Sequence, residues 1–149
     1  MRILLDTNVL VRAASGPPSP AEELLRICLT PPQVLCFSPF LFSEVSRVLR
    51  YPRVQRIHGM SEEKIDSYLR FLQAGSLMVT VPADAVETVV PNDPKDDPIV
   101  ATAVAAKAEV ICTLDRHLHQ EAVVLYCDSK KIEVVTDIEL LHRLRPAAP

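Results

Sequence analysis

No stretch of this sequence is apolar for long enough to cross a bilayer as one helix. The longest uncharged segment, Ile27–Ser43, contains Pro31, Pro32 and Pro39, and a proline inside a helix removes a hydrogen bond and clashes with the preceding turn. The apolar run at the N-terminus stops at Asp6, too early for the core of a signal peptide. C-x-x-C pairs are also missing. Cys28, Cys36, Cys112 and Cys127 are scattered among apolar neighbours, which predicts buried, reduced thiols. Together these absences predict a soluble chain of the cytoplasm with no membrane partner. Glycine is scarce, with 3 residues against 13 prolines, and most prolines fall between periodic segments or at first turns of helices, where a fixed φ costs nothing. Aromatics make up only 5% of the chain, and Tyr51, Tyr68 and Tyr126 are too far apart for a base-stacking platform. There is no internal repeat, linker or composition break, so the 149 residues are expected to form one domain.

Apolar residues make up 48% and charged ones 23%, a globular balance that excludes disorder. A net charge of −3 does not advertise a nucleic-acid partner, although local charge can differ from the average. Short apolar runs at Arg2–Leu5, Val34–Phe37, Leu77–Val81, Glu109–Leu114 and Ile132–Val135 read as strands. Between them, helical periodicity predicts helices over Thr7–Ala14, Ala21–Leu29, Phe40–Arg50, Ser61 to Gly75, Ile99–Lys107 and Ile138–Arg143. Ser15–Pro18 is a chain break and Pro91–Pro98 a turn-rich acidic loop. Ser38-Pro39 and Thr136-Asp137 have the chemistry of helix starts, while Tyr51-Pro52 ends the third helix. Continuous apolar strands alternating with helices predict an α/β class, a three-layer α/β/α domain with a mostly parallel sheet. Such sheets bind ligands beyond the carboxyl ends of their strands.

Acids sit at those ends. Asp6 closes the first strand and Asp115 the fourth; Asp93, Asp96 and Asp97 precede the alanine-rich helix; Glu44 lies one turn into the helix after the second strand. One terminating acid is ordinary helix-cap chemistry. Several converging acids cannot all ionise without a cation unless some retain protons. With no His-rich or Cys-rich set to favour zinc, an all-oxygen site suits Mg²⁺, with Mn²⁺ as substitute. Carboxylate-held hard cations serve phosphodiester displacement, which points to a nuclease or phosphatase.

The segments Leu4-Leu5-Asp6-Thr7-Asn8-Val9-Leu10, Ser43-Glu44-Val45-Ser46-Arg47-Val48-Leu49, Asp93-Pro94-Lys95-Asp96-Asp97-Pro98-Ile99-Val100-Ala101-Thr102-Ala103 and Ile111-Cys112-Thr113-Leu114-Asp115 resemble, in order, the four acidic elements of PIN-domain ribonucleases. The resemblance is closest to the VapC-like toxin components of toxin–antitoxin pairs. It implies that Asp6, Glu44, Asp96 and Asp115 form a Mg²⁺-binding catalytic pocket that cleaves RNA through activated water. It further implies an antitoxin partner and a homodimer. Counted back from Ala101 and Ala103, the family pattern lands on Asp96 rather than Asp97, and Asp97 beside Pro98 is accounted for as a helix cap. The chain departs from the family in having Leu114 where Gly is frequent, and in a longer Leu118–Lys131 segment.

Supporting roles fall to Asn8, Asp93 and Thr113. Asn8 either caps the first helix or orients Asp6. Asp93 is a further carboxylate or a turn former. Thr113, two residues before Asp115, shares its strand face. Arg47, Arg50, Arg53, Arg56 and His58 form the one basic concentration, either a solvated face or, through Arg47, Arg50 and Arg53, a track for an RNA backbone. His117 and His119 read as surface residues. Two other readings stand beside the nuclease. A haloacid-dehalogenase-like phosphatase needs an aspartate two residues after the first acid, where this chain has Asn8. A non-catalytic, receiver-like metal-binding module would act only through a partner.

Overall fold

The computed structural model describes residues 1–16, 18–91 and 93–147. Pro17 of the expected chain break and Asn92 of the expected acidic loop lie outside the described residues. The chain opens with β1 (Arg2–Leu5), α1 (Thr7–Ala13), α2 (Pro20–Cys28) and β2 (Val34–Phe37). Three helices follow, α3 (Pro39–Leu49), α4 (Pro52–His58) and α5 (Glu62–Gly75), before the edge strand β3 (Leu77–Met78). The rest comprises α6 (Asp97–Ala105), β4 (Val110–Cys112), α7 (Glu121–Ser129), β5 (Glu133–Val135) and α8 (Asp137–Leu144).

All five strands are parallel, in the order β3-β2-β1-β4-β5. The first two crossovers run outward in one direction from β1, and the later ones run in the other. With right-handed connections, α1, α2, α3 and α5 cover one face, and α6 and α7 the opposite one. The packing agrees, since α1 lies against α2 and α3, α3 against α5, and α6 against β2 and β4. The expected α/β class with a parallel central sheet is therefore observed. Ile3, Leu4 and Leu5 of β1 and Cys36 and Phe37 of β2 are wholly buried, as central strands covered on both faces must be. Each such side chain contributes roughly 1.5–3 kcal/mol.

Helix starts are set by side chains on residues whose own backbone is still extended. Ser38 Oγ accepts from the Leu41 amide at 3.3 Å, and Ser61 does the same for Lys64. At the head of α8 the Thr136 hydroxyl accepts from the Glu139 amide and donates to the Glu139 carboxylate.

Two helices were not legible in the sequence. Pro52 both stops α3 and opens α4 at its first turn, and α4 buries none of its residues, so it carries no apolar period to detect. α7 starts at Gln120 without a side-chain cap and buries only Val123 and Cys127. The predicted strand Leu77–Val81 shortens to Leu77–Met78, because the chain leaves the sheet edge after Val79 N bonds Phe37 O. All four cysteines are buried and unpaired.

Candidate active site

The order of strands reverses between β1 and β4, which opens a crevice at their carboxyl ends. Their register pairs Leu5 with Cys112, and the Asp6 amide continues the ladder by donating to the Cys112 carbonyl at 2.9 Å. Asp6 and Thr113 therefore leave the sheet side by side. The Thr113 hydroxyl donates to Asp6 Oδ2 at 2.7 Å and accepts from the Asp115 amide at 3.0 Å. One buried hydroxyl thus fixes both terminating acids. Asp6 Oδ1 meanwhile accepts from the Thr7 amide at 2.7 Å and heads α1.

Two neighbours in the first turn of α1 extend this frame. The Thr7 hydroxyl donates to Glu44 Oε2 at 2.6 Å, tying α3 to the β1 end. Asn8 Nδ2 donates to Asp6 Oδ2 at 3.3 Å, and Asn8 Oδ1 accepts from the Leu114 amide at 3.2 Å. Asn8 bridges the two strand ends as a neutral amide. It supplies no second carboxylate, so the phosphatase arrangement has no counterpart here.

Asp96 comes from the opposite side, on the single-turn helix Pro94–Asp96 that leads into α6. It is buried, and no donor among the described residues reaches its Oδ2. Burial pushes its carboxyl well above the ordinary range, helped by a direct carboxyl–carboxyl contact with Asp115 and by the charges of Asp6, Asp93 and Asp115. Asp6 is raised to about 6, chiefly by burial, with Glu44 and Asp115 adding to the rise and the Thr113 and Thr7 hydrogen bonds opposing it. Asp6, Glu44, Asp96 and Asp115 are therefore brought into one electrostatic cluster, from four separate segments. Asp93 borders it.

Asp97 is corrected. Its side chain does not cap α6; Oδ1 instead accepts from the Val89 and Val90 amides at 2.9 and 2.7 Å. The helix start needs no side-chain cap because the preceding turn runs straight into it, which frees Asp97 to pin the buried 89–90 segment.

The histidines are corrected as well. The chain after Asp115 forms a short 3-10 helix, Arg116–His119, and folds back on the acids. His117 Nδ1 lies 3.5 Å from Asp115 Oδ1 and 3.7 Å from Asp93 Oδ2. His119 Nε2 bonds the Thr113 carbonyl at 2.8 Å. Neither role follows from helical spacing; only the reversal after β4 creates it.

The basic concentration divides. Arg47 is largely exposed, with Nη2 at 3.6 Å from Glu44 Oε1. Arg50 is held within the molecule, donating to Ser46, Glu62 and Asp66. Arg53 and Arg56 stand exposed on α4. His58 leaves the group, since its Nδ1 accepts from the Met60 amide at 2.9 Å and its Nε2 therefore donates to the Leu49 carbonyl at 2.8 Å. That makes it a staple between α3 and the end of α4.

The donor set suits a hard divalent cation: carboxylate oxygens from Asp6, Glu44, Asp96 and Asp115, of which the buried Asp96 Oδ2 has no donor among the described residues. The group of potential ligand atoms that lie within 4.8 Å of one another among the described residues is that of Asp93, Asp115 and His117. No helix of the described residues is long and apolar enough to cross a membrane.

Comparison with curated proteins finds no significant match. The family profile of the PIN domain matches residues 2–117, a span that holds every acid of the cluster together with the strands that carry them. PIN domains are generally metal-dependent nucleases. With the matched span, the parallel sheet and the acids at its switch point in agreement, the chain belongs to the PIN-domain family.

Proposed function

We propose that this protein is a Mg²⁺-dependent endoribonuclease of the cytoplasm, a single-domain toxin of a type II toxin–antitoxin pair, with Mn²⁺ as a substitute ion. The observation that carries the reading is the buried Asp96 oxygen with no donor among the described residues, set among the acids of three other segments. Burying like charges together is costly without a counter-ion. A bound divalent cation, held by Asp6, Glu44, Asp96 and Asp115, supplies water activation and neutralises charge building up on the phosphodiester.

The chain's own residues prepare that site. Thr113 and Asn8 fix the direction of Asp6 Oδ2, and the Thr7 hydroxyl holds Glu44 toward the same crevice. Asp6, raised to about 6 in the metal-free protein, is largely ionised at neutral pH, the form in which a carboxylate takes a cation. Arg47, 3.6 Å from Glu44, and the exposed Arg53 would meet phosphates of the RNA backbone, whereas Arg50 is already occupied by Glu62 and Asp66. The expected antitoxin would block the pocket with an arginine, whose planar fork bonds two carboxylates at once and whose charge replaces the cation's. A homodimer belongs to the same reading.

The test is cleavage of an RNA pool. Mg²⁺-dependent cutting, lost with chelator and in Asp6→Asn and Asp96→Asn but kept in Asp97→Asn, is the expected result. In cells, expression of the chain alone slows growth and Asp6→Asn relieves it. Equal toxicity of the Asp6→Asn protein would defeat the toxin reading.

A further inference from the structure

His117 stands at the open side of the acid cluster, where the nuclease reading uses carboxylates alone. Its Nδ1 is 3.5 Å from Asp115 Oδ1 and 3.7 Å from Asp93 Oδ2. Donors sharing one six-coordinate ion at about 2.1 Å stand about 3.0 Å apart when adjacent and about 4.2 Å when opposite. The two separations from the imidazole nitrogen fall between these limits, and the three ligand atoms lie within 4.8 Å of one another. The three side chains are 27–32% exposed, so an ion can enter without unfolding the site. A second observation points the same way. Asp96, 8% exposed, sets its carboxyl against that of Asp115, and no donor among the described residues satisfies Oδ2.

We infer that the cation pocket of this protein is a mixed nitrogen–oxygen one, in which His117 Nδ1 is added to the pocket's carboxylates as a direct ligand, on the side of Asp93 and Asp115. Imidazole nitrogen favours transition-metal ions over Mg²⁺, whereas carboxylates accept both. His117 therefore makes the pocket bind Mn²⁺ more tightly than Mg²⁺, while its carboxylates keep Mg²⁺ an acceptable ion. The inference rests on the reading of the pocket as a cation site, but not on RNA being the substrate.

The experiment uses the full chain stripped of metal, with Mn²⁺ and Mg²⁺ as probes. Calorimetric titration is expected to show tighter Mn²⁺ than Mg²⁺ binding in the wild type. In His117→Gln, Mn²⁺ affinity falls at least about tenfold, the lower end of what even outer-shell partners of a metal ligand cost, while Mg²⁺ affinity changes much less. Pulsed electron paramagnetic resonance of the Mn²⁺-loaded wild type shows coupling to a ¹⁴N nucleus, absent in His117→Gln and present in His119→Gln. Metal-free melting of both variants checks that they fold. Mn²⁺ binding without nitrogen coupling, or an unchanged Mn²⁺/Mg²⁺ ratio in His117→Gln, overturns the inference even if RNA is cut. Nitrogen coupling without RNA cleavage sustains it and defeats the nuclease reading instead.

Discussion

Replacing Asp6 by asparagine is expected to stabilise the metal-free protein at neutral pH relative to acid. Asp6 is 3% exposed, and its carboxyl is raised from 3.8 to about 6, mainly because burial penalises the charge. Since the native pKa lies above the unfolded one, the native state holds more protons between pH 4 and 6. Stability is thus full below about pH 4 and falls as pH rises through 6. At about 1.36 kcal/mol per pKa unit, the loss attributable to Asp6 is about 3 kcal/mol by pH 7.5. Asparagine keeps an oxygen for the Thr7 amide and presents an amide to the Thr113 hydroxyl, but it does not titrate. Any fixed cost of the exchange appears equally at both pH values. The assay is thermal melting of wild type and Asp6→Asn in chelator across pH 4–8. Between pH 4 and 7.5 the variant is expected to gain about 6–12 °C on the wild type, at roughly 2–4 °C per kcal/mol for a chain of this size. Saturating Mn²⁺ should abolish the gap at high pH by stabilising the wild type, by about 2.7 kcal/mol at a hundred times Kd. Parallel wild-type and variant profiles in chelator would refute the claim that Asp6 is buried at electrostatic cost.

Three further outcomes separate neighbouring residues. Asp97→Ala should lower stability by about 2–4 kcal/mol in denaturant unfolding, since it strands the buried Val89 and Val90 amides. It should nevertheless keep the Mn²⁺-induced rise in melting temperature, which Asp96→Asn loses. Arg53→Ala should flatten the salt dependence of RNA binding by roughly one unit, whereas Arg50→Ala leaves the slope unchanged and costs stability by cutting the tie from α3 to Glu62 and Asp66. Thr7→Val, which removes the 2.6 Å bond to Glu44, should weaken cation affinity in calorimetry without changing the fold by circular dichroism.

The sequence by itself determined the strands β1, β2 and β4, because a run buried on both faces must be apolar throughout and must stop where the first charged residue needs solvent or a partner. Asp6 and Asp115 were visible for that reason. The capped helices were visible too, since Ser38, Ser61 and Thr136 act on amides only three residues away. What the tertiary structure decided is every relation across the chain. Thr113 reaches Asp6 only because β1 and β4, 107 residues apart, are paired in a register that sets Leu5 beside Cys112. Asp96 and Asp97 are identical and adjacent in sequence; the turn before α6 sends one carboxyl into the acids and the other onto the Val89 and Val90 amides. Arg50 and Arg53 look alike in a basic run, yet packing of α5 neutralises the first and leaves the second exposed. His117 read as a surface residue until the reversal after β4 set its ring against Asp93 and Asp115. Local hydrogen bonding and burial are written in short patterns, but the sharing of charge among distant side chains depends on where the fold brings them.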